Sequence, residues 1–154
     1  MVETAAEALP IRARSGPDGL HRIDILVAED NEVNQLVFTQ ILGETDYSFL
    51  IVGNGRLAVK AFVEMKPRMI LMDVSMPEMN GLEASAEIRR LESETGGGHV
   101  PIIGVTAHAL KGDRERCLES GMDDYLPKPI SPKALVEKVE RWAWQEAGSN
   151  RGLG

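Results

Sequence analysis

The stretch of sequence that decides the fold is a short apolar run that delivers one acidic residue, Met69-Ile70-Leu71-Met72-Asp73-Val74-Ser75-Met76-Pro77. An apolar run of this length, bounded by Pro67 and Pro77, is typical of a fully buried β-strand. Because a carboxylate is costly inside such a strand, we expect Asp73 at its carboxyl end. Ligands bind at that end of the strands in open α/β sheets. The stretch therefore predicts that Asp73 carries the chemistry.

The rest of the chain repeats one pattern, a short apolar segment followed by apolar residues at helical spacing. Further strands are predicted over residues 22–28, 47–52, 102–106 and 124–127. The stripes that predict the five helices are Val33, Leu36, Val37 and Ile41; Leu57, Ala58, Ala61, Phe62 and Met65; Ala84, Ile88 and Leu91; Leu110, Arg114, Cys117 and Leu118; and Leu135, Val139 and Trp142. Five units in strict alternation indicate an α/β fold with a doubly wound, five-stranded parallel sheet, which is flavodoxin-like.

Length and composition indicate one ordinary acidic domain. The chain has 154 residues, a formal net charge of −7 and one cysteine, so it has no internal disulfide. That cysteine usage favours a cytoplasmic location, and the negative charge argues against nucleic-acid binding. No apolar run is long enough to span a membrane, so no membrane contact is expected. Residues 1–21 are interpreted as a linker or flexible N-terminal arm, 22–146 as the folded domain and 147–154 as a flexible tail.

Polar residues fall where the predicted strands end. Glu29 and Asp30 follow the first strand, Asp73 ends the third, Thr106 ends the fourth and Lys128 follows the fifth. In a parallel sheet these ends meet at one edge. Three carboxylates gathered there repel one another and call for cations. Lys128 supplies one positive charge, and a hard divalent cation with oxygen ligands, Mg²⁺ rather than Zn²⁺, would supply the rest.

This set of groups is suited to accepting a phosphoryl group. A metal and a lysine neutralise the charge that develops on phosphoryl oxygens. A carboxylate can act as the nucleophile, which makes Asp73 a candidate for an aspartyl phosphate. Thr106 could then donate a hydrogen bond to a phosphoryl oxygen. From the residues alone, both a phosphorylation switch and a phosphatase remain open.

Four segments resemble the signature blocks of response-regulator receiver domains. They are Val27-Ala28-Glu29-Asp30-Asn31, the run from Met72 through Asp73-Val74-Ser75-Met76-Pro77-Glu78-Met79-Asn80 to Gly81, Ile103-Gly104-Val105-Thr106-Ala107, and Tyr125-Leu126-Pro127-Lys128-Pro129. The resemblance runs in order over residues 22–146. Residues 29–35 and 104–110 further resemble the receiver domains at the carboxyl end of hybrid sensor histidine kinases.

The resemblance implies a role for each matching acidic position. Asp73 would accept a phosphoryl group from a phosphohistidine on a histidine kinase or a histidine phosphotransfer protein. Asp30 and Asp73 would bind Mg²⁺ directly, the Ser75 backbone carbonyl would be the third protein ligand, and Glu29 would act through water. Such a domain is not an enzyme that turns over an outside substrate, because it catalyses only its own phosphorylation and dephosphorylation.

The resemblance also implies a switch. Lys128 would pair with Asp73 and then with the phosphoryl group, while Thr106 would follow the phosphate. Tyr125 would rotate inward and change the face formed by the fourth helix, fifth strand and fifth helix, through which receivers can dimerise. A cis peptide is expected at Lys128-Pro129, since X-Pro bonds can support one.

Three other interpretations are weighed against this one. Phosphohydrolases that form an aspartyl phosphate carry a second aspartate two residues after the first, where this chain has Ser75. A scaffold that docks without phosphorylation would not need the complete acidic pocket. The chain is interpreted either as a stand-alone response regulator or as a receiver domain excised from the end of a larger kinase, and its linker-like start and hybrid-type motifs favour the kinase. Few residues follow position 146, so no output domain is expected there.

Overall fold

The computed structural model describes residues 14–15, 21–76, 78–96, 98–107 and 111–143. The centre of the fold is a five-stranded parallel sheet. Its strands are β1 (Ile25–Ala28), β2 (Phe49–Val52), β3 (Met69–Asp73), β4 (Ile102–Thr106) and β5 (Asp124–Pro127), in the order β2-β1-β3-β4-β5. This is the strand order of the flavodoxin-like doubly wound fold. The predicted fold class is therefore confirmed.

Each strand is followed by a helix, as predicted. The helices are α1 (Glu32–Gly43), α2 (Gly55–Met65), α3 (Gly81–Thr95), α4 (Lys111–Glu119) and α5 (Pro132–Ala143). Asparagine side chains cap the amino ends of α1, α2 and α3, because each accepts a hydrogen bond from a main-chain N–H of the first turn. Within the described residues, no helix combines the length and the apolar character needed to cross a membrane.

The core has two parts, one on each face of the sheet. Alternate residues of a strand point to opposite faces, so Leu26 and Ala28 pack beneath α2, α3 and α4, while Ile25 and Val27 pack beneath α1 and α5. Both faces of β3 are covered, which explains its continuous apolar sequence. Only its last residue, Asp73, is polar, and it lies where the strand leaves the sheet.

Three predicted stripes are wrong in part. Val33 and Leu36 of α1 are 69% and 58% exposed, and the buried residues of that helix are Phe38 and Leu42. The exposed apolar residue of the predicted α2 stripe is Leu57, and that of the predicted α4 stripe is Leu118. The period of 3.6 residues defines a stripe but not which of two overlapping stripes meets the sheet. In α1 the larger Phe38 takes the buried place.

The start of the domain also differs in detail from the prediction. The first sheet strand begins at Ile25 rather than at residue 22, and the second at Phe49 rather than at residue 47. Within the segment interpreted as a linker, Arg14–Ser15 pairs antiparallel with His21–Arg22. Asp24 lies between this antiparallel pair and β1 and is buried. It exchanges hydrogen bonds with Ser48 and forms an ion pair with Arg68 at 3.3 Å. Most of the predicted arm and the whole predicted tail lie outside the described residues.

Candidate functional site

The acidic residues lie where the strand order reverses. β1 is the neighbour of both β2 and β3, so the loops that leave β1 and β3 diverge to opposite faces and open a crevice. Glu29 and Asp30 follow β1, and Asp73 ends β3. Carboxylate oxygens of these three residues lie within 4.8 Å of one another. The fold thus brings together the three acids that the sequence predicted at this edge.

Glu29 is fixed in place and completely buried. Its Oε2 accepts hydrogen bonds from the main-chain N–H of Asn31 (3.1 Å) and from the Asn34 side-chain amide (3.3 Å). The Gln35 side chain donates to the Glu29 main-chain carbonyl at 2.6 Å. By contrast, Oε1 makes no hydrogen bond to the described residues, and Lys128 Nζ lies 3.3 Å from it as an ion pair. A buried carboxylate oxygen with an ion-pair contact alone is a suitable partner for an additional cation or its water.

Asp73 is only 2% exposed, and its surroundings disfavour the charged form. Burial, and then the negative charge of Glu29, raise the pKa of Asp73 from 3.8 to about 7. Lys128 Nζ, 3.3 Å from Asp73 Oδ1, and the Ser75 main-chain N–H, which donates to the same oxygen at 3.2 Å, act in the opposite direction. The one lysine faces two carboxylates and does not neutralise both.

The predicted switch residues lie on adjacent strands. Thr106 ends β4 and is buried, and its main-chain carbonyl accepts a hydrogen bond from the Lys128 N–H at 2.8 Å. Tyr125 on β5 is half-buried, and the Arg114 guanidinium of α4 lies over its ring at 5.9 Å from the centroid. The Lys128-Pro129 peptide bond is cis, as the resemblance implied.

The loop between β3 and α3 is held by the starts of two helices. The Gly55 N–H of α2 donates to the Met79 carbonyl at 3.1 Å, and the Gly81 N–H of α3 donates to the Val74 carbonyl at 3.0 Å. A Cβ at either glycine would meet a main-chain oxygen, at 2.2 Å for Gly55 and 2.1 Å for Gly81. These close approaches position the main chain on both sides of Ser75.

The donor set fits a hard divalent cation. Three carboxylates in one crevice offer the oxygen ligands that Mg²⁺ prefers, and one of their buried oxygens accepts no hydrogen bond from the described part of the chain. Asp30, the exposed member, leaves one side of the crevice open to solvent. The residues present therefore fit the predicted Mg²⁺.

The sequence did not reveal every residue at this site. Asn34 and Gln35 support Glu29, and Arg116 of α4 reaches a cavity beside Asp73. The only signal for the first two was their place in the motif at residues 29–35. Nothing in the sequence indicated Arg116, because its position depends on how α4 packs. Pro77, which bounds the stretch after Asp73, and Leu110 of the fourth stripe lie outside the described residues.

The site was compared with known proteins. Residues 25–140 match the family model of the response regulator receiver domain. The chain belongs to this family. As a receiver domain, it is a module of two-component signalling.

Relatives of this receiver domain include both a kinase segment and solved domains. It is 44% identical over 132 residues to hybrid signal transduction histidine kinase I of Dictyostelium discoideum; the match covers 82% of this chain and 8% of the kinase. The receiver domain of the sensor histidine kinase PA1611 of Pseudomonas aeruginosa, solved with magnesium coordinated in its active-site cleft, is 40% identical. The structural match to the PA1611 receiver has a TM-score of 0.72 and covers 80% of this chain and 99% of the PA1611 chain.

A third relative was solved in a complex. The receiver domain of the response regulator Ssk1 of Saccharomyces cerevisiae was crystallised with the histidine phosphotransfer protein Ypd1. It is 32% identical to this receiver domain, with a TM-score of 0.76, and the likeness covers 79% of this chain and 89% of that one. The relatives of this receiver domain therefore include a segment of a hybrid kinase and a receiver domain that was crystallised with a histidine phosphotransfer protein.

Proposed function

We propose that Asp73 is the phosphoacceptor of this receiver domain and takes its phosphoryl group from a phosphohistidine. The observation that carries the proposal is the cluster of Asp73 with Glu29, Asp30 and Lys128 at the point where the strand order reverses. In Asp73 one oxygen, Oδ1, has both Lys128 and the Ser75 main-chain N–H beside it, whereas in Glu29 the lysine and the main-chain N–H contact different oxygens. The other two acids flank it.

The transfer is an in-line displacement at phosphorus. An Asp73 carboxylate oxygen forms the new bond to phosphorus while the bond from phosphorus to the histidine nitrogen breaks, and the nitrogen keeps the electron pair. Lys128 can move from the Asp73 carboxylate to a phosphoryl oxygen without leaving the crevice. Thr106, at the end of the adjacent strand, would donate a hydrogen bond from its hydroxyl to a second phosphoryl oxygen. Because the domain catalyses only its own modification, we assign it no outside substrate.

Asp30 and Asp73, with the Ser75 carbonyl, would hold Mg²⁺, and Glu29 would contact it through water. When bound, the ion neutralises negative charge on the phosphoryl oxygens. The magnesium coordinated in the cleft of the PA1611 receiver supports this assignment. Burial is the first cause of the raised pKa of Asp73, and the negative charge of Glu29 is the second. A bound cation would offset the excess of buried negative charge that these two acids share.

Phosphorylation by a small donor tests the proposal directly. With acetyl phosphate and Mg²⁺, we expect one phosphate per chain, and Asp73→Asn abolishes the incorporation because the amide is not a nucleophile. The measurement is the mass of the intact protein, which rises by one phosphoryl group. Asp46→Asn, the same substitution in the α1–β2 loop at the opposite end of the sheet, keeps the label. Labelling that survives Asp73→Asn would refute the assignment, and rapid turnover of a phosphate ester would favour a phosphohydrolase instead.

The partner we propose is a histidine phosphotransfer protein or a histidine kinase domain that docks on α1. The exposed apolar residues Val33 and Leu36 are three residues apart, so they share one side of the helix that begins beside Asp30. A phosphohistidine must come within bonding distance of Asp73, so its carrier has to cover the surface around the crevice. Ssk1 in complex with Ypd1 shows that a related receiver binds such a carrier.

Leu36→Asp tests the docking side of α1. We expect transfer from a phosphorylated histidine phosphotransfer protein to fall about tenfold or more, as expected when a buried interface anchor is replaced by a charge. Labelling by acetyl phosphate should stay unchanged, because the small donor needs no docking surface. The matched control is Val63→Asp, which adds the same charge at a 52% exposed position of α2. Equal losses in the two variants would contradict docking on α1.

The response to phosphorylation is proposed for the face formed by α4, β5 and α5. Tyr125 links two of these elements, because it lies on β5 beneath Arg114 of α4. Dimerisation through that face remains a prediction. The 44% identity to a segment of a hybrid kinase supports an origin in such a kinase, and a stand-alone regulator is the alternative.

A further inference from the structure

A cavity of about 360 Å³ lies directly beside Asp73. Asp73, Thr106 and Lys128 form one part of its wall, and Asn80, Leu82 and Arg116 form another. Among the described residues, its lining includes neither Glu29 nor Asp30, so it opens on the side of Asp73 away from the acidic pair. A cavity of this size accommodates a small organic phosphate together with the solvent around it.

Arg116 brings a second positive charge to this cavity. It belongs to α4, the helix from which Arg114 lies over the Tyr125 ring. A guanidinium carries a positive charge, and its planar donors match phosphate and carboxylate oxygens. Lys128, in the same wall, faces the Asp73 and Glu29 carboxylates. Arg116 therefore adds positive charge on the side from which an anion can approach Asp73.

The positive charge of Arg116 affects the approach of a donor because the surroundings of Asp73 are negatively charged. An anionic donor in the cavity approaches Asp73, whose carboxylate oxygens lie within 4.8 Å of those of Glu29 and Asp30 behind it. Each additional negative charge on the donor increases the repulsion, and each cation in the cavity reduces it. A doubly charged donor such as acetyl phosphate gains more from Arg116 than phosphoramidate does, because the protonated nitrogen of phosphoramidate cancels one negative charge.

We propose that Arg116 is a specificity-determining residue of the phosphorylation pocket and favours doubly charged acyl phosphates over less charged small donors. The proposal rests on the function proposed above for Asp73. With acetyl phosphate, the Asp73 oxygen bonds to phosphorus as the bond from phosphorus to the acetate oxygen breaks, and acetate leaves as an anion with the electron pair. With phosphoramidate, the P–N bond breaks and the protonated nitrogen leaves as ammonia. Neither step needs a proton from the protein.

The test measures phosphorylation rates with both donors at saturating Mg²⁺. We expect Arg116→Ala to lower the rate with acetyl phosphate about three- to tenfold and the rate with phosphoramidate less than twofold, the range expected for one partly solvated charge. Arg116→Lys should keep most of the preference. The matched control is Arg90→Ala, which removes the same charge from an exposed position of α3 and leaves the ratio of the two rates unchanged.

The dependence of the phosphorylation rate on salt concentration distinguishes an electrostatic role of Arg116 from a purely structural one. Raising the ionic strength should narrow the difference between wild-type protein and Arg116→Ala with acetyl phosphate, because the cation acts through a screened field. Equal losses with both donors, or no loss with either, would overturn the proposal. Failure of the proposed function gives a different pattern, in which wild-type protein takes no label from either donor or Asp73→Asn keeps it, and this overturns both.

Discussion

In the absence of metal, Asp73→Asn should make the domain more stable at pH 8, by roughly 1–3 kcal/mol. The physical reason is the raised pKa of Asp73, which is about 7 in the folded protein against 3.8 for the ordinary group. Because the folded state holds this proton more tightly, ionising Asp73 costs stability, up to about 4 kcal/mol for a shift of this size. The expected gain is smaller because the amide also loses the ion pair with Lys128.

The pH dependence of this stability difference follows from the raised pKa of Asp73. Between about pH 4 and pH 7 the folded state binds more protons at Asp73 than the unfolded state does, so the contribution of Asp73 to stability falls as pH rises through this window. The difference between Asp73→Asn and wild-type protein should therefore disappear near pH 4 and be largest at pH 8. Urea unfolding in the presence of a chelator measures it.

Magnesium should make wild-type protein more stable than Asp73→Asn, the reverse of the order expected without metal. Wild-type protein gains about 2.7 kcal/mol at a Mg²⁺ concentration one hundred times the dissociation constant, whereas Asp73→Asn, with one carboxylate fewer, gains much less. Asp46→Asn again serves as the control, since it removes a negative charge outside the crevice. An Asp73→Asn variant that is less stable than wild-type protein at pH 8 without metal would contradict the proposed excess of buried negative charge.

Gly81→Ala should have the second large effect, because there is no space for the added methyl group. Its Cβ would lie 2.1 Å from the Asp73 carbonyl oxygen and 3.0 Å from Met72 Cγ. Both obstacles belong to β3, so either the strand end or the start of α3 has to move. Overpacking of this kind costs about 1–3 kcal/mol, and more where main chain is displaced. We expect a loss of about 3 kcal/mol in the free energy of unfolding.

The same substitution should slow phosphorylation more than it affects folding. Asp73 is attached to the main chain that would be displaced, and a shift of about 1 Å in a reacting group can cost a hundredfold in rate. Labelling by acetyl phosphate is expected to slow ten- to hundredfold in protein that remains folded by circular dichroism. Gly112→Ala, in α4, is the control, because nothing lies within 4 Å of its added Cβ. Equal rates in the two variants would show that the loop accommodates the methyl group.

The overall fold could be predicted because its determinants are local. Alternation of short apolar runs with helical stripes requires a parallel sheet, and the ends of parallel strands converge whatever the details of packing. That convergence places Asp73, Thr106 and Lys128 at one edge from their sequence positions alone. The asparagine cap of α1 was likewise predictable, because capping depends on residues within one turn.

Other features depend on how elements pack and could not be predicted. Val33 and Leu36 fit one stripe of α1, and Phe38 and Leu42 fit another, so only the position of the helix on the sheet decides between them. Arg116 reaches the cavity because of where α4 lies, which no local pattern records. The hydrogen bond from Gly55 to Met79 joins residues of different helix–loop units. Each of these features is a contact between segments that are distant in the sequence.

The part of the core beneath α1 and α5 has a consequence for the order in which the protein folds. Phe38 and Leu42 come early in the chain, and the residues that complete their surroundings, Leu135 and Val139, belong to α5, the last of the described helices. During synthesis, one face of the sheet therefore stays partly uncovered until α5 has left the ribosome. Contacts between such distant segments form late, because the chain between them must first be ordered. Truncation before α5 should thus leave an apolar surface that no other described segment covers.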